Sequence, residues 1–161
     1  MTPFAALAVS AMLVAGCGSD QPETTPTAAA KPPVVGSAPD PCKLVTAAEV
    51  TAALGGATAA GVSSPGGLPG QRTCAFDAAA KGMATVGVAP GGAALFDQLK
   101  SQLGATAKPL AGVGDAAVRD AGQLTAVRGD WVVLIFVSGK NSDRYYETAT
   151  AALAKAAVGR L

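Results

Sequence analysis

The stretch AAVRDAGQLTAVRGDWVVLIFVS, residues 116–138, decides how this chain folds. Three apolar-rich runs, Ala116–Asp120, Leu124–Arg128 and Trp131–Ser138, are separated by Asp120-Ala121-Gly122 and Arg128-Gly129-Asp130. Gaps this short, built on Gly and Asp, connect neighbouring antiparallel strands, so a three-stranded meander is expected. The run Trp131-Val132-Val133-Leu134-Ile135-Phe136-Val137 is apolar at every position. A strand covered on both faces reads this way. If helices covered one face alone, the row Val132, Leu134 and Phe136 would meet water or a ligand. Trp131 starts this strand and Tyr145 follows the adjoining turn; their rings could stack on a sugar or a peptide, or could serve as core. Val132, Leu134, Phe136, Trp131 and Tyr145 are therefore the candidate binding surface.

Outward from the meander, Ser142 to Val158 carries Tyr146, Ala149, Leu153 and Ala157 at helical spacing. On the other side, Ala93 to Leu103 places Phe96, Leu99 and Leu103 on one face, and Gly104 stops it. Two short strands precede that helix: Arg72–Asp77, with Cys74 and Phe76 on one face, and Ala84–Ala89, with Val86 and Val88. The turn-rich residues 57–70 read as a long loop. Before them lies a helix with a capping box, Thr46 and Glu49, a staple of Val45 and Val50, and Gly55 as its stop. The expectation is an α+β domain over residues 40–161, an antiparallel sheet of about five strands with helices packed on it, in the order α-β-β-α-β-β-β-α.

The first 39 residues cannot share this core. Phe4 to Ala15 is an apolar run too short to span a bilayer as a helix, which takes roughly 20 residues. It reads as the h-region of a signal peptide covering residues 1–16. It ends in Leu13-Val14-Ala15-Gly16-Cys17, which resembles the lipobox of bacterial lipoproteins and implies that Cys17 is diacylated. No Lys or Arg precedes the run, a departure from the usual pattern. Residues 17–39 hold Pro22, Pro26, Pro32, Pro33 and Pro39 among Thr, Ala and Gly and read as a tether about 25 Å in coil dimension. Of three cysteines, one for the lipid leaves Cys42 and Cys74, expected to pair as a structural disulfide in an oxidising compartment.

Composition removes many functions. The chain has no histidine, which excludes a Ser-His-Asp triad, a Cys-His pair and any His-bearing metal site. A net charge of +1 gives no electrostatic basis for nucleic-acid binding. No metal site, cofactor or catalytic residue is assigned. Gly112-Val113-Gly114-Asp115-Ala116-Ala117 matches a relaxed dinucleotide fingerprint, but no strand precedes it and a strand follows it, so it reads as a tight turn. The carboxylates fall mostly at expected turns, caps and helix exteriors, although a pair facing across a cleft would suit a glycosidase.

Asp40-Pro41-Cys42-Lys43-Leu44-Val45-Thr46-Ala47-Ala48-Glu49-Val50, Leu54-Gly55, Cys74-Ala75-Phe76, Leu110 to Ala117, and the strand after Arg128-Gly129-Asp130 form a set of fragments. Together they resemble small actinobacterial lipoproteins of the domain-of-unknown-function 3558 family. The resemblance implies a lipidated cell-surface domain with its two cysteines bridged and no assigned catalytic residue. The functional expectation is a binding or sensing module lipid-anchored on the outer side of the cytoplasmic membrane, with an envelope ligand or protein as partner. A carboxylate-based envelope enzyme and an accessory subunit docking another membrane protein are the alternatives. Cys17→Ala is expected to abolish both labelling with radioactive palmitate and sedimentation with membranes. A mutant that still labels and pellets would refute the lipobox reading.

Overall fold

The structure, a computed structural model, describes residues 37–139 and 143–161. The expected signal peptide of residues 1–16, Cys17 and nearly all of the tether of residues 17–39 lie outside the described residues. The packed part begins at Ala38, which is buried in the core two residues before the expected start.

The domain is α+β. One antiparallel sheet of seven strands carries helices on both faces. In chain order the elements are α1 (Pro41–Leu44), α2 (Ala47–Leu54), β1 (Val62–Pro65), β2 (Arg72–Asp77), β3 (Met83–Pro90), α3 (Gly92–Leu103), β4 (Lys108–Pro109), β5 (Ala116–Asp120), β6 (Gln123–Arg128), β7 (Trp131–Ser138) and α4 (Asp143–Gly159), with short 3₁₀ turns at Ala79–Lys81 and Gly104–Thr106. The sheet order is β1-β2-β3-β7-β6-β5-β4. The meander is present as β5-β6-β7, and β7 pairs on its other side with β3 along all eight residues, from Met83 opposite Ser138 to Pro90 opposite Trp131.

Two corrections to the expected order follow. The sheet has seven strands instead of about five, because β1 and β4 join its two edges, and α1 precedes the helix expected first. Each missed element lacks the signal that sequence periodicity detects. All four residues of β1 are exposed, so its strand character comes from pairing with β2, with the Ser64 and Thr73 hydroxyls 2.9 Å apart across the pair. β4 is a two-residue Lys-Pro pairing on β5. α1 is a single turn capped by Asp40, whose carboxylate accepts the Cys42 amide at 3.1 Å.

The inner face of the sheet carries α1, α2 and α4. Val133, Ile135 and Val137 of β7, Leu124 and Ala126 of β6, Val86 and Val88 of β3, and Cys74 and Phe76 of β2 form one core with Val50, Leu54, Leu153 and Ala157 from the helices. α2 starts with the expected capping box: the Glu49 amide donates to Thr46 Oγ1 at 3.3 Å, and the Thr46 amide donates to Glu49 Oε2 at 2.9 Å. Gly55 closes it in a left-handed conformation with φ 63°.

The outer face carries α3 alone. Phe96 packs with Val118, Val127 and Val132 in a second, smaller core, flanked by Leu95, Leu99, Leu103 and Leu134. α3 and α4 therefore lie on opposite sides of β7, which is why that strand is apolar on both faces.

A disulfide joins Cys42 in α1 to Cys74 in β2. Cross-linking residues 32 apart is worth roughly 3–4 kcal/mol in the chain-entropy account. Gly61 passes directly over the bridge: a Cβ there would lie 2.4 Å from Cys74 Sγ and 2.6 Å from the Phe76 ring, so no larger residue fits. The C-terminal end is fastened by Arg160, which donates to Leu44 O at 2.6 Å and to both Glu49 carboxylate oxygens at 3.0 and 2.6 Å. The Arg160 hydrogen bonds outweigh the opposing effect of desolvation and, with the Thr46 donors, lower the Glu49 pKa from 4.5 to about 2. A carboxyl with a depressed pKa stabilises the fold above its ordinary pKa, and that stability is lost as pH falls through the folded value. The melting temperature of Glu49→Gln should therefore lie below that of the native chain at pH 7, with the gap constant down to about pH 4.5 and closing as the pH approaches 2. An unchanged gap across that range would show that the ion pair does not carry the effect.

Candidate functional site

The register sorts the outer face into rows. One row crosses the sheet as Val62, Ala75, Thr85, Phe136, Gln123 and Asp120; the next as Ser64, Thr73, Gly87, Leu134, Thr125 and Val118; a third, towards α3, includes Ala89, Val132 and Val127. α3 seals the third row and part of the second. The first row is open. Phe136 is 47% exposed, Val62 68%, and Met83, beside this row on β3, 41%; these are the large exposed hydrophobic side chains among the described residues, and all three share this face. Singly such residues are unremarkable on a protein surface, but three on one sheet face beside a covering helix make a candidate interaction surface.

Gly87 lies in the floor of this surface. A Cβ there would approach Gln71 Nε2 at 2.8 Å and Leu134 at 3.6 Å, so the glycine makes room for both side chains. Gln71 is folded back over the β1–β2 hairpin, where its Oε1 accepts the Leu68 amide at 2.9 Å. Thr125 Oγ1 is completely buried beside Leu134 and Val118 and has no hydrogen-bond partner. An unmet hydroxyl in an apolar setting is costly, and it marks the boundary between the covered and open rows.

The candidate residues read from sequence divide between the two faces. Val132, Leu134 and Phe136 are on the outer face with graded exposure: Val132 is buried beneath α3, Leu134 is half-buried and Phe136 is open. Trp131 is on the inner face opposite Pro90, packed against the main core. Tyr145 is on α4, where its hydroxyl donates to Leu54 O at the end of α2 and its ring meets Tyr146 edge-on at 5.8 Å. Burial raises the Tyr145 pKa, with a smaller contribution from Tyr146. Both rings are thus placed as packing elements away from the outer-face rows. Met83 and Val62 complete the surface. Sequence alternation pairs residues within a strand but cannot show which strands become neighbours, so these two carried no signal.

Two concavities lie at the ends of the sheet. One, of about 540 Å³, is lined by the β1–β2 hairpin including Ser63, Ser64, Gln71 and Arg72. The other, of about 330 Å³, lies at the opposite edge among Thr106, Lys108, Arg119, Asp120 and Glu147, and its charges cancel. Arg119 and Glu147 form an ion pair across it at 3.2 Å. Most described carboxylates have structural partners: Asp77 accepts the Ala79 amide at 2.8 Å, Asp115 accepts the Gly129 amide at 2.7 Å, Asp40 caps α1, and Glu49 holds Arg160. Gly112 and Gly114, with φ 75° and 61°, form a turn that leads into β5 and not into a helix. A Cβ on Gly114 would meet Val127 O at 2.3 Å, so this turn is glycine for strand packing. No helix among the described residues is long and apolar enough to cross a membrane. No protein-family model, curated protein or solved structure matches this chain.

Substitutions on β7 separate core from surface. Val133→Asp and Val132→Asp each bury a charge, beneath α4 and α3 respectively, and each should unfold the domain, since full burial of such a side chain alone is worth about 1.5–3 kcal/mol. Phe136→Asp should leave the circular dichroism spectrum and cooperative melting intact. Unfolding by Phe136→Asp would place that residue in the core instead.

Proposed function

We propose that the protein is a lipid-anchored binding or sensing module of the cell envelope, held at Cys17 on the extracytoplasmic side of the membrane and presenting the outer face of its sheet to an envelope ligand or protein. The observation that carries this reading is the open row at Phe136, with Met83 and Val62 on the same face. The residue pattern around Cys17 and the resemblance to domain-of-unknown-function 3558 lipoproteins supply the address, and the Cys42–Cys74 bridge accords with an exported domain.

Among the described residues, the 330 Å³ concavity with Asp120 and Glu147 is where the carboxylate-enzyme reading would draw two acids together. Glu147 is engaged there by Arg119, which weakens its case as a free acid or base. Docking to another membrane protein would use the same open row, so it differs from the leading reading in the partner and not in the surface.

A photoreactive benzoyl-phenylalanine at position 136, expressed in the native envelope, tests the surface directly. Discrete adducts are expected from position 136 and none from position 155 on exposed Lys155 of α4. Identical adduct patterns from both sites would remove the outer face from consideration.

A further inference from the structure

We propose that α3 is a flap over an acyl-chain site: a hydrocarbon chain lies beneath it against Val118, Val127 and Val132, and the acyl carbonyl oxygen accepts a hydrogen bond from Thr125 Oγ1. This deepens the binding reading of the outer face and rests on it.

Three independent features converge on α3. Its seat is shallow. Of its side chains Phe96 alone is buried, while Leu95, Leu99 and Leu103 are half-exposed, whereas α4 on the inner face sinks Ala149, Leu153, Ala154, Ala157 and Val158. Its ends are glycine joints: Gly91 and Gly92, with φ 136° and 49°, open the helix, and Gly104, with φ 75°, closes it. Both N-terminal glycine amides donate to Asp130 O at 3.0 Å, which pins that end to the β6–β7 turn, so in the proposed opening the helix lifts at its far end. Beneath it, Thr125 holds a completely buried hydroxyl without a partner in a floor otherwise made of hydrocarbon.

The chemistry of that floor defines the occupant. Val118, Val127, Val132 and Leu134 offer apolar contact and no charge, so a hydrocarbon chain can replace the contacts that Phe96 gives up when the helix lifts. A single hydroxyl that lacks an acceptor calls for one acceptor oxygen at the edge of that chain. An acyl carbonyl provides both. The remainder of the molecule then continues along Leu134 to the open row at Phe136 and Met83. Free fatty acids and acyl esters share this chemistry.

The full chain carrying Cys17→Ser, so that no acyl group of its own competes, is equilibrated with a diazirine-bearing palmitate and, separately, with its monoacylglycerol ester. After irradiation, adducts are mapped by peptide mass spectrometry. Saturable adducts within residues 92–103 and 118–137 are expected from at least one probe; the probe that labels identifies the source as free acid or ester, and labelling by both shows that the acyl carbonyl is what is recognised. Thr125→Val should reduce labelling about three- to tenfold at sub-saturating probe, the range set by loss of one hydrogen bond, without lowering the melting temperature. Adducts confined to residues 1–36, labelling that does not saturate, or equal labelling of Thr125→Val would overturn the proposal. If position 136 still yields discrete adducts in the envelope while neither acyl probe labels the domain, the outer face remains a binding surface and only its assignment to acyl chains fails.

Discussion

The pairing of β3 with β7 holds this domain together. These are the two eight-residue strands, they occupy the middle of the sheet, and they are joined by chain that passes through α3, β4, β5 and β6 before returning. Closing so long a loop is entropically expensive, and the cost is offset by burying both faces of β7. Everything to one side is the β1–β2–β3 meander with its disulfide; everything to the other is the meander ending in β7. A sheet assembled this way needs cover on both faces along its central strands, and the two long helices, α3 and α4, divide that duty unequally.

Unequal cover is what creates a surface. α4 has seventeen residues and is backed by α1 and α2, while α3 has twelve and stands alone. α3 packs over the strands around Val118, Val127 and Val132, and Phe136 stays outside that cover. The exposed row thus follows from where the helix is seated. The hydroxyls of Ser64, Thr73 and Thr85 interleave with the apolar residues there, and Asp77 opposite Met83 and Asp120 opposite Gln123 bound the open face, which keeps it wettable.

Much of this architecture was legible in the sequence. The capping box at Thr46 and Glu49, the helix stops at Gly55 and Gly104, and the β5-β6-β7 meander each rest on local chemistry that tertiary contacts did not override. The Cys42–Cys74 bridge was accessible by counting. What was not legible depends on long-range pairing. β1 has no buried side chain to create a pattern, β4 is too short to carry one, and α1 is one turn. The candidate site was half readable: the row Val132, Leu134 and Phe136 follows from alternation, but the grading of its exposure depends on where α3 packs. Trp131 and Tyr145 were grouped with that row for being aromatic and near in sequence, whereas the parity of Trp131 on β7 sends it to the inner face. Glu49 serves twice, in the capping box and as the partner of Arg160, and only the first role is local.

The disulfide also sets a load path. A domain held by its N-terminal side receives any pull at Asp40 and α1, and Cys42 passes that tension straight to Cys74 on β2. α2, β1 and the turn from β1 into β2 lie inside the covalent loop and are shielded from the force. Tension that reaches β2 is then borne by rungs of backbone hydrogen bonds to β3, while Arg160 grips Leu44 and Glu49 from the other end of the chain. In the proposed anchored arrangement, a pull from the N-terminal side would be taken up by the sheet, leaving α2 slack.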